Sequence, residues 1–307
     1  MKPHGIIVPL VTPLTDTARI DTSSLKALLD FVITGGVDGV FVAGTSGEFA
    51  RLEEHERHKL FSETVDHVAG RVPVFAGVSD TNITAVERHM QAAGSAGVDA
   101  VVVSLPYYFP INSAEEAYRW FAELVPKAGK PCLIYNIPDN TGAGIPAAVL
   151  ASINGLVCGI KDSGSEEAGI YDYIKALGGQ QRRTSYLCGN EALLMKGISA
   201  GADGFVPSMA NVFPRLWQAI WRNRADEAKL QRLADQVKEI NVLNSRYASS
   251  LGSVMWKKQA LSLLGIMPAT MSPPSINEAS GDATLLRTIM EQVDQLLSQD
   301  LYLNGGI

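Results

Sequence analysis

The chain has 307 residues, 46 % of them hydrophobic, and a formal net charge of −6. This length and apolar content are enough for one large α/β domain with additions. The acidic balance argues against nucleic acid and anionic membrane surfaces as partners, and no apolar run is long enough to span a membrane. The start lacks a signal-peptide core and the three cysteines have no CxxC spacing, so we expect a cytoplasmic protein with free thiols.

Short apolar segments alternate with amphipathic stretches over the first two thirds of the chain. The apolar segments predict eight strands, at Ile6–Val11, Gly39–Ala43, Val72–Val78, Ala100–Leu105, Pro131–Ile137, Val157–Lys161, Ser185–Cys188 and Asp203–Pro207. The stretches that follow them predict eight helices, at Ser24–Thr34, Glu53–Val68, Ile83–Ala96, Ala114–Lys127, Pro146–Ser152, Glu166–Ala176, Glu191–Ala200 and Val212–Asn223. Asp21, Asn82 and Ser113 are suitable N-caps for three of these helices.

Eight strand–helix units predict a parallel sheet closed into a (β/α)8 TIM barrel. A related tag recurs at 36–39, 97–100 and 201–204, where each copy leaves a helix through glycine and enters a strand. An open doubly wound sheet is less favoured because no GxGxxG follows the first strand. Three further helices are predicted at Ala225–Tyr247, Ser253–Leu264 and Asp282–Ser298. We therefore expect a catalytic barrel over 1–224 and a C-terminal helical extension over 225–307.

Lys161 is the most unusual residue of the predicted barrel, because it ends an apolar strand in the segment CGIKDSG. A buried ammonium is costly unless it is paired or neutralised. Burial favours the uncharged amine, whose lone pair attacks carbonyl groups. The alternative is a strand-end lysine whose ammonium reaches solvent.

Barrel active sites lie at the C-terminal ends of the strands, and this is where Lys161 falls. Tyr135, on the preceding strand, offers a phenol that can move protons during imine formation. The hydroxyls of Thr45 and Ser46 follow strand 2 and can bind a carboxylate with help from backbone N–H groups. A glycine-rich loop such as GTSGE is also ordinary turn chemistry, so this motif carries little weight alone.

Several motifs together resemble the dihydrodipicolinate synthase / N-acetylneuraminate lyase family. They are GTSGE at 44–48, PYY at 106–108, YNIPDNTG at 135–142, GIKDS at 159–163 and GADGFVPS at 201–208. The resemblance runs in order along essentially the whole chain, and its most specific part is the strand-5 tyrosine with the strand-6 lysine. The family consists of pyruvate-dependent, Schiff-base class I aldolases and lyases on (β/α)8 barrels, typically tetrameric.

The resemblance implies a role for each matching residue. Lys161 would form an imine with pyruvate or another 2-oxo acid, so that no separate cofactor or metal is expected. Tyr135 would relay protons, and Thr45 and Ser46 would hold the carboxylate. Thr45 would also link Tyr135 to Tyr108, which in the family crosses from a neighbouring subunit of a dimer of dimers. Val206 would contribute a main-chain contact, and Gly189 would line the pocket.

Asn140 departs from the family pattern of true dihydrodipicolinate synthases, which carry an arginine in the strand-5 loop. A guanidinium binds a carboxylate through two hydrogen bonds, which a neutral amide cannot replace. We therefore expect reversible cleavage of a 4-hydroxy-2-oxo acid or 2-keto-3-deoxy sugar acid to pyruvate and an aldehyde. The alternatives are condensation of pyruvate with aspartate semialdehyde, dehydration of a 2-keto-3-deoxy sugar acid, and, outside enzymes, a 2-oxo acid binding protein. Arg246 is a candidate to replace the missing clamp.

Overall fold

A computed structural model describes residues 1–246, 251–275 and 283–304 of the chain. Eight parallel strands pair in sequence order and the first pairs with the last, which confirms the predicted closed barrel. The strands are β1 (Gly5–Pro9), β2 (Gly39–Val42), β3 (Val74–Gly77), β4 (Ala100–Ser104), β5 (Cys132–Asn136), β6 (Gly159–Asp162), β7 (Ser185–Cys188) and β8 (Gly204–Phe205). The predicted strands were too long at most ends, because pairing with both neighbours decides where each strand stops.

Helices surround the barrel and extend beyond it. They are α1 (Thr22–Thr34), α2 (Glu54–Val68), α3 (Ile83–Ala96), α4 (Ala114–Leu124), α5 (Pro138–Thr141), α6 (Ala147–Ile153), α7 (Glu167–Ala176), α8 (Leu194–Ala200), α9 (Pro214–Arg222), α10 (Glu227–Arg246), α11 (Gly252–Leu263) and α12 (Ala283–Asn304). Asp21, Asn82 and Ser113 each accept a first-turn backbone N–H, as predicted. Helices α10 to α12 form the C-terminal part, while the domain boundary at 224 stays a prediction. No helix in the described ranges has the length and hydropathy of a membrane span.

The aspartates of the recurring glycine–aspartate tags join neighbouring strands at the N-terminal end of the barrel. Asp38, Asp99 and Asp203 each come just before an even-numbered strand. Their carboxylates accept the backbone N–H groups of Ile6, Val74 and Tyr186, at 2.8, 2.8 and 2.9 Å, on the neighbouring odd-numbered strands. The repeat is therefore a structural clamp at the end of the barrel opposite to the strand C-termini.

Glycine is required where the barrel closes between β1 and β8. A Cβ on Gly204 would lie only 2.2 Å from the carbonyl oxygen of Gly5, so no side chain fits there. The barrel interior holds side chains of nine fully covered residues: Ile7, Phe41, Phe75, Ala100, Val102, Leu133, Tyr135, Leu187 and Val206. The larger hydrophobic core lies outside the strands, between the sheet and the helices. The interior is thus a packed column that opens toward the strand C-termini.

A buried histidine between α2 and α3 makes folding stability depend on pH. His89 is 2 % exposed, and its ring nitrogens lie 2.9 Å from His58 Nε2 and 3.1 Å from an Asp80 carboxylate oxygen. Burial, together with the nearby Arg57 guanidinium, lowers the pKa of His89 from its usual 6.5 to about 4. The unfolded chain therefore binds a proton below pH 6.5 that the native state does not bind until about pH 4, so the free energy of unfolding decreases as the pH is lowered across this window.

We expect this histidine to remove about 2 kcal/mol from the free energy of unfolding between pH 7 and pH 5. Urea titrations at several pH values would measure the loss, with His89→Gln as the matched variant because an amide keeps hydrogen-bonding capacity without titrating. The variant should show a flatter dependence over this range. Equal slopes for both proteins would contradict the assignment.

Candidate active site

Lys161 lies inside the barrel next to Tyr135. The β5–β6 register places the two residues directly opposite each other, and Leu187 follows on β7. Lys161 is 4 % exposed, and its Nζ lies 3.9 Å from the centroid of the Tyr135 ring and 5.2 Å from that of Phe41. Among the described residues its amine has no hydrogen-bond or ion-pair partner. In the described ranges the faces of the Tyr135 and Phe41 rings are its only stabilising contacts, and they compensate poorly for removing an ammonium from water.

Tyr135 joins Lys161 to an open cavity of about 260 Å³ at the C-terminal end of the strands. Its ring packs edge-on against Phe41, at 6.4 Å between centroids, and both rings line this cavity. Within the described part of the chain the Tyr135 hydroxyl makes no hydrogen bond. The phenol proton is therefore available to a bound molecule rather than committed to the protein.

The loop after β2 lines the same cavity through Gly44, Thr45 and Glu48. Two turn bonds shape it, from Gly47 N–H to Gly44 O and from Glu48 N–H to Thr45 O, both 3.0 Å. The Thr45 and Ser46 N–H groups and hydroxyls have no partners among the described residues. A short 3-10 helix, Phe49–Arg51, follows the loop and precedes α2. Thr45 thus presents unused donors to the cavity, whereas Ser46 does not line it.

A hydrogen-bond network behind the barrel wall holds β5 and β6 in register. Asp162 accepts from Asn136 Nδ2 at 2.7 Å, from Tyr186 OH at 2.8 Å and from Gly164 N–H at 2.9 Å. Burial and the Asp162 charge together raise the pKa of Tyr186, so its phenol stays protonated and donates. Asp162 directly follows Lys161, and Asn136 directly follows Tyr135. The hydrogen bond between Asn136 and Asp162 therefore keeps Tyr135 and Lys161 side by side. Sequence reasoning did not single out Asn136 or Tyr186.

Gly189 lies against the Lys161 side chain. A Cβ at this position would be 2.4 Å from Ser163 Oγ and 3.0 Å from Lys161 Cε. The Gly189 N–H donates to Asp162 O at 2.7 Å, so the backbone at Gly189 cannot easily move away from the Lys161 side chain. Glycine here leaves Lys161 the room that it occupies.

Gly189→Ala is expected to lower kcat/KM by about a hundredfold, because it displaces the amine, and to destabilise the fold by about 1–3 kcal/mol. Steady-state kinetics and thermal unfolding would measure the two effects. Gly169→Ala is the matched control, since a Cβ on Gly169 in α7 meets no atom within 4 Å. Unchanged kinetics in Gly189→Ala would show that Lys161 tolerates displacement.

The remaining candidate residues fall into two groups. Val206 lies in the barrel interior, where its N–H donates to Cys188 O at 2.8 Å, and Asn140 lies on α5 and lines the cavity. Tyr108 is different: it is 82 % exposed, has a φ of 84° and packs edge-on against Phe109. The cavity is instead lined by Tyr107, which sequence reasoning did not single out. The Arg246 side chain lies outside the described residues.

Fold and site together define a (β/α)8 barrel with a buried amine in its interior, next to Tyr135. Among curated proteins the chain is similar to the putative 2-dehydro-3-deoxy-D-gluconate aldolase YagE of Escherichia coli K12, with 30 % identity over 298 residues, 94 % of this chain and 96 % of that one. It is also similar to the 4-hydroxy-tetrahydrodipicolinate synthase of Methanothermobacter thermautotrophicus, with 33 % identity over 224 residues, 70 % of this chain and 76 % of that one. The crystal structure of E. coli YagE in complex with pyruvate superposes with a TM-score of 0.86 at 28 % identity, covering 95 % and 98 % of the two chains.

The sequence model of the Dihydrodipicolinate synthetase family matches residues 2–293, and the chain belongs to this family. It is a lyase of the pyruvate-dependent class I aldolase type, as the resemblance of its motifs indicated.

Proposed function

We propose that this lyase works through an imine on Lys161 and cleaves a 2-keto-3-deoxy sugar acid or a related 4-hydroxy-2-oxo acid. The observation that carries the proposal is the covered amine of Lys161, stacked on Tyr135 and without any counter-charge among the described residues. A buried amine without a counter-charge lowers the stability of the fold, and residues that lower stability in this way concentrate at functional sites. A neutral amine in this position is a nucleophile toward a 2-oxo acid.

The proposed reaction uses only groups of the chain and the substrate. Lys161 Nζ attacks the C2 carbonyl and water leaves, which gives a protonated imine while Thr45 and Ser46 hold the carboxylate. Tyr135 gives its phenol proton to the water that departs as the imine forms. The resulting phenolate then takes the proton of the C4 hydroxyl, and the C3–C4 bond breaks to release an aldehyde. The electron pair of that bond enters the imine to form an enamine. Protonation at C3 and hydrolysis then release pyruvate and restore Lys161.

Asn140 supports a sugar acid as the substrate. It lines the cavity with a neutral amide, which can donate to and accept from hydroxyl groups. It cannot pair with the carboxylate of aspartate semialdehyde as an arginine would. E. coli YagE and YjhH, named as aldolases of 2-dehydro-3-deoxy-D-gluconate and 2-dehydro-3-deoxy-D-pentonate, are related at 30 % and 31 % identity, which favours the same substrate class.

We further propose that the chain forms a homo-oligomer in the cytoplasm. The exposed Tyr108 and Phe109 side chains, 82 % and 79 % accessible, would be covered by a neighbouring subunit into whose site Tyr108 reaches. The left-handed backbone of Tyr108 aims the ring outward. The cysteines are free and at least partly buried, which suits a reducing compartment. We treat 225–307 as an extension of the catalytic barrel over 1–224.

The decisive experiment has two stages. Incubation with pyruvate and borohydride, followed by peptide mass spectrometry, should show a reduced adduct on the Lys161 peptide. A folded protein without that adduct would exclude every imine mechanism. Pyruvate release from 2-keto-3-deoxygluconate and 4-hydroxy-2-oxoglutarate is then compared with dehydration and with condensation of pyruvate with aspartate semialdehyde. Faster condensation than cleavage would show that Asn140 does not decide the substrate.

A further inference from the structure

A fully buried ion pair connects the loop after β2 to the C-terminal extension. Glu48 ends this loop, Lys258 lies on α11, and both side chains have 0 % exposure. Lys258 Nζ is 2.5 Å from Glu48 Oε1 and also donates to Thr270 O at 2.7 Å. The second oxygen, Oε2, accepts from Ser272 N–H at 2.8 Å and from Ser272 Oγ at 2.5 Å. Both carboxylate oxygens of Glu48 are therefore held by residues of the segment 251–275.

The backbone of Glu48 connects this ion pair to Thr45. Glu48 has φ 56° and ψ 29°, a left-handed conformation that residues other than glycine rarely adopt without outside support. Its N–H donates to Thr45 O at 3.0 Å, which closes the turn that contains Ser46. The turn orients the free N–H groups of Thr45 and Ser46. If the Glu48 carboxylate moves, the contacts that fix this turn are lost and the orientation of these N–H groups changes.

Stability alone is a weak reason for such a pair. Replacing a buried ion pair by apolar residues of similar size is often neutral or stabilising, because desolvation offsets the attraction between the charges. A pair that joins positions 48 and 258 across the molecule instead offers fixed geometry. Thr12 Oγ1, which donates to Gly47 O at 2.7 Å, holds the same turn from the β1 side.

We propose that Glu48 and Lys258 are positioning residues that hold the Thr45–Ser46 turn in the geometry needed to bind the carboxylate of the 2-oxo acid. The C-terminal extension then contributes to selection of 2-oxo acids over carbonyl compounds without a carboxylate. This inference rests on the proposed imine chemistry of Lys161.

The test compares two probes that react with the same amine. Pyruvate has the carboxylate and acetone lacks it, so we would measure the borohydride-trapped adduct at Lys161 as a function of each concentration. In Lys258→Met and Glu48→Gln, half-maximal trapping should need about 10- to 100-fold more pyruvate, because well-oriented hydrogen bonds to a charged group are lost. Trapping by acetone should change less than about twofold, since it uses Lys161 alone.

A double variant serves as the control for effects on folding. Each single substitution leaves one buried group without its partner, so Glu48→Gln/Lys258→Met removes both charges together. The double variant should fold by circular dichroism and still show the loss specific to pyruvate. Lys257→Met is the matched control: Lys257 is a buried neighbour on α11 that donates to Ser253 O at 2.7 Å, and its loss should leave the pyruvate-to-acetone ratio unchanged.

The outcomes separate this inference from the proposed function. No adduct in the unmodified protein overturns both, because Lys161 is then not an imine-forming group. Normal pyruvate trapping in the folded double variant overturns the positioning role alone. Equal losses with pyruvate and acetone overturn it as well, since they would indicate a general disturbance of the barrel. A loss of pyruvate selectivity in Lys257→Met would contradict the assignment to the Glu48–Lys258 pair.

Discussion

Lys161→Met is expected to be inactive and at the same time at least as stable as the unmodified protein. Removal of a covalent nucleophile should lower kcat/KM by about 10⁴-fold or more, since the substitution removes the amine that forms the imine in the proposed mechanism. The methionine has nearly the same length, and it replaces a 4 % exposed amine that has no counter-charge among the described residues. The desolvation cost of that amine disappears, so the free energy of unfolding should not fall. Enzyme assays and urea denaturation measure the two effects.

A second buried lysine provides the control for this prediction. Lys257 is 1 % exposed, and burial lowers its pKa from 10.5 to about 8. It lies on α11, where its Nζ donates to Ser253 O, and it does not line the cavity that Tyr135 opens onto. Lys257→Met should therefore keep the pyruvate adduct that Lys161→Met loses. An adduct that persists in Lys161→Met would assign the reactive amine elsewhere.

The barrel could be predicted from sequence because its signals are local. Each strand is a short apolar run, and several helix starts have a side-chain cap, such as Asp21 or Asn82, within three residues of the N–H group that it accepts. Strand ends were less predictable. The predicted strand 6 ended at Lys161, yet Asp162 belongs to β6, where Asn136 and Tyr186 satisfy its carboxylate from neighbouring elements.

The reactive pair could also be predicted, for a geometric reason. Neighbouring parallel strands bring their C-terminal ends together, so a lysine near the C-terminal end of β6 had to lie near a tyrosine at the same level of β5. The contact between Lys161 and Phe41 could not be foreseen, because an apolar residue in a strand carries no sign of which charge it covers.

The ion pair between Glu48 and Lys258 was beyond sequence reasoning. Its two members are 210 positions apart, and a lysine in a late amphipathic helix ordinarily faces solvent.

The role of Tyr108, in contrast, cannot be read from the structure of one chain. A single chain leaves it exposed, so its expected role depends on a neighbouring subunit rather than on the fold of this chain.

Tyr135→Phe is expected to reduce kcat by about 10²- to 10⁴-fold while the protein still binds pyruvate as an imine. The substitution removes one hydroxyl that makes no hydrogen bond among the described residues, so the free energy of unfolding should hardly change. The phenylalanine ring keeps the face on which Lys161 Nζ lies at 3.9 Å and the edge contact with Phe41. Because cleavage needs a base for the C4 hydroxyl and imine formation can use water slowly, the variant should accumulate adduct without turnover.

Tyr173→Phe is the matched control for the loss of a buried phenol. Its hydroxyl donates to Ile145 O at 2.6 Å, outside the barrel wall, so its removal should destabilise the fold by about 1 kcal/mol and leave kcat within about threefold. Rapid mixing with borohydride quench would follow adduct formation, and steady-state assays would follow pyruvate release. If Tyr135→Phe and Tyr173→Phe lowered kcat equally, the phenol of Tyr135 would have no part in proton transfer. If Tyr135→Phe lost adduct and turnover together, its role would be confined to supporting Lys161 rather than to breaking the C3–C4 bond.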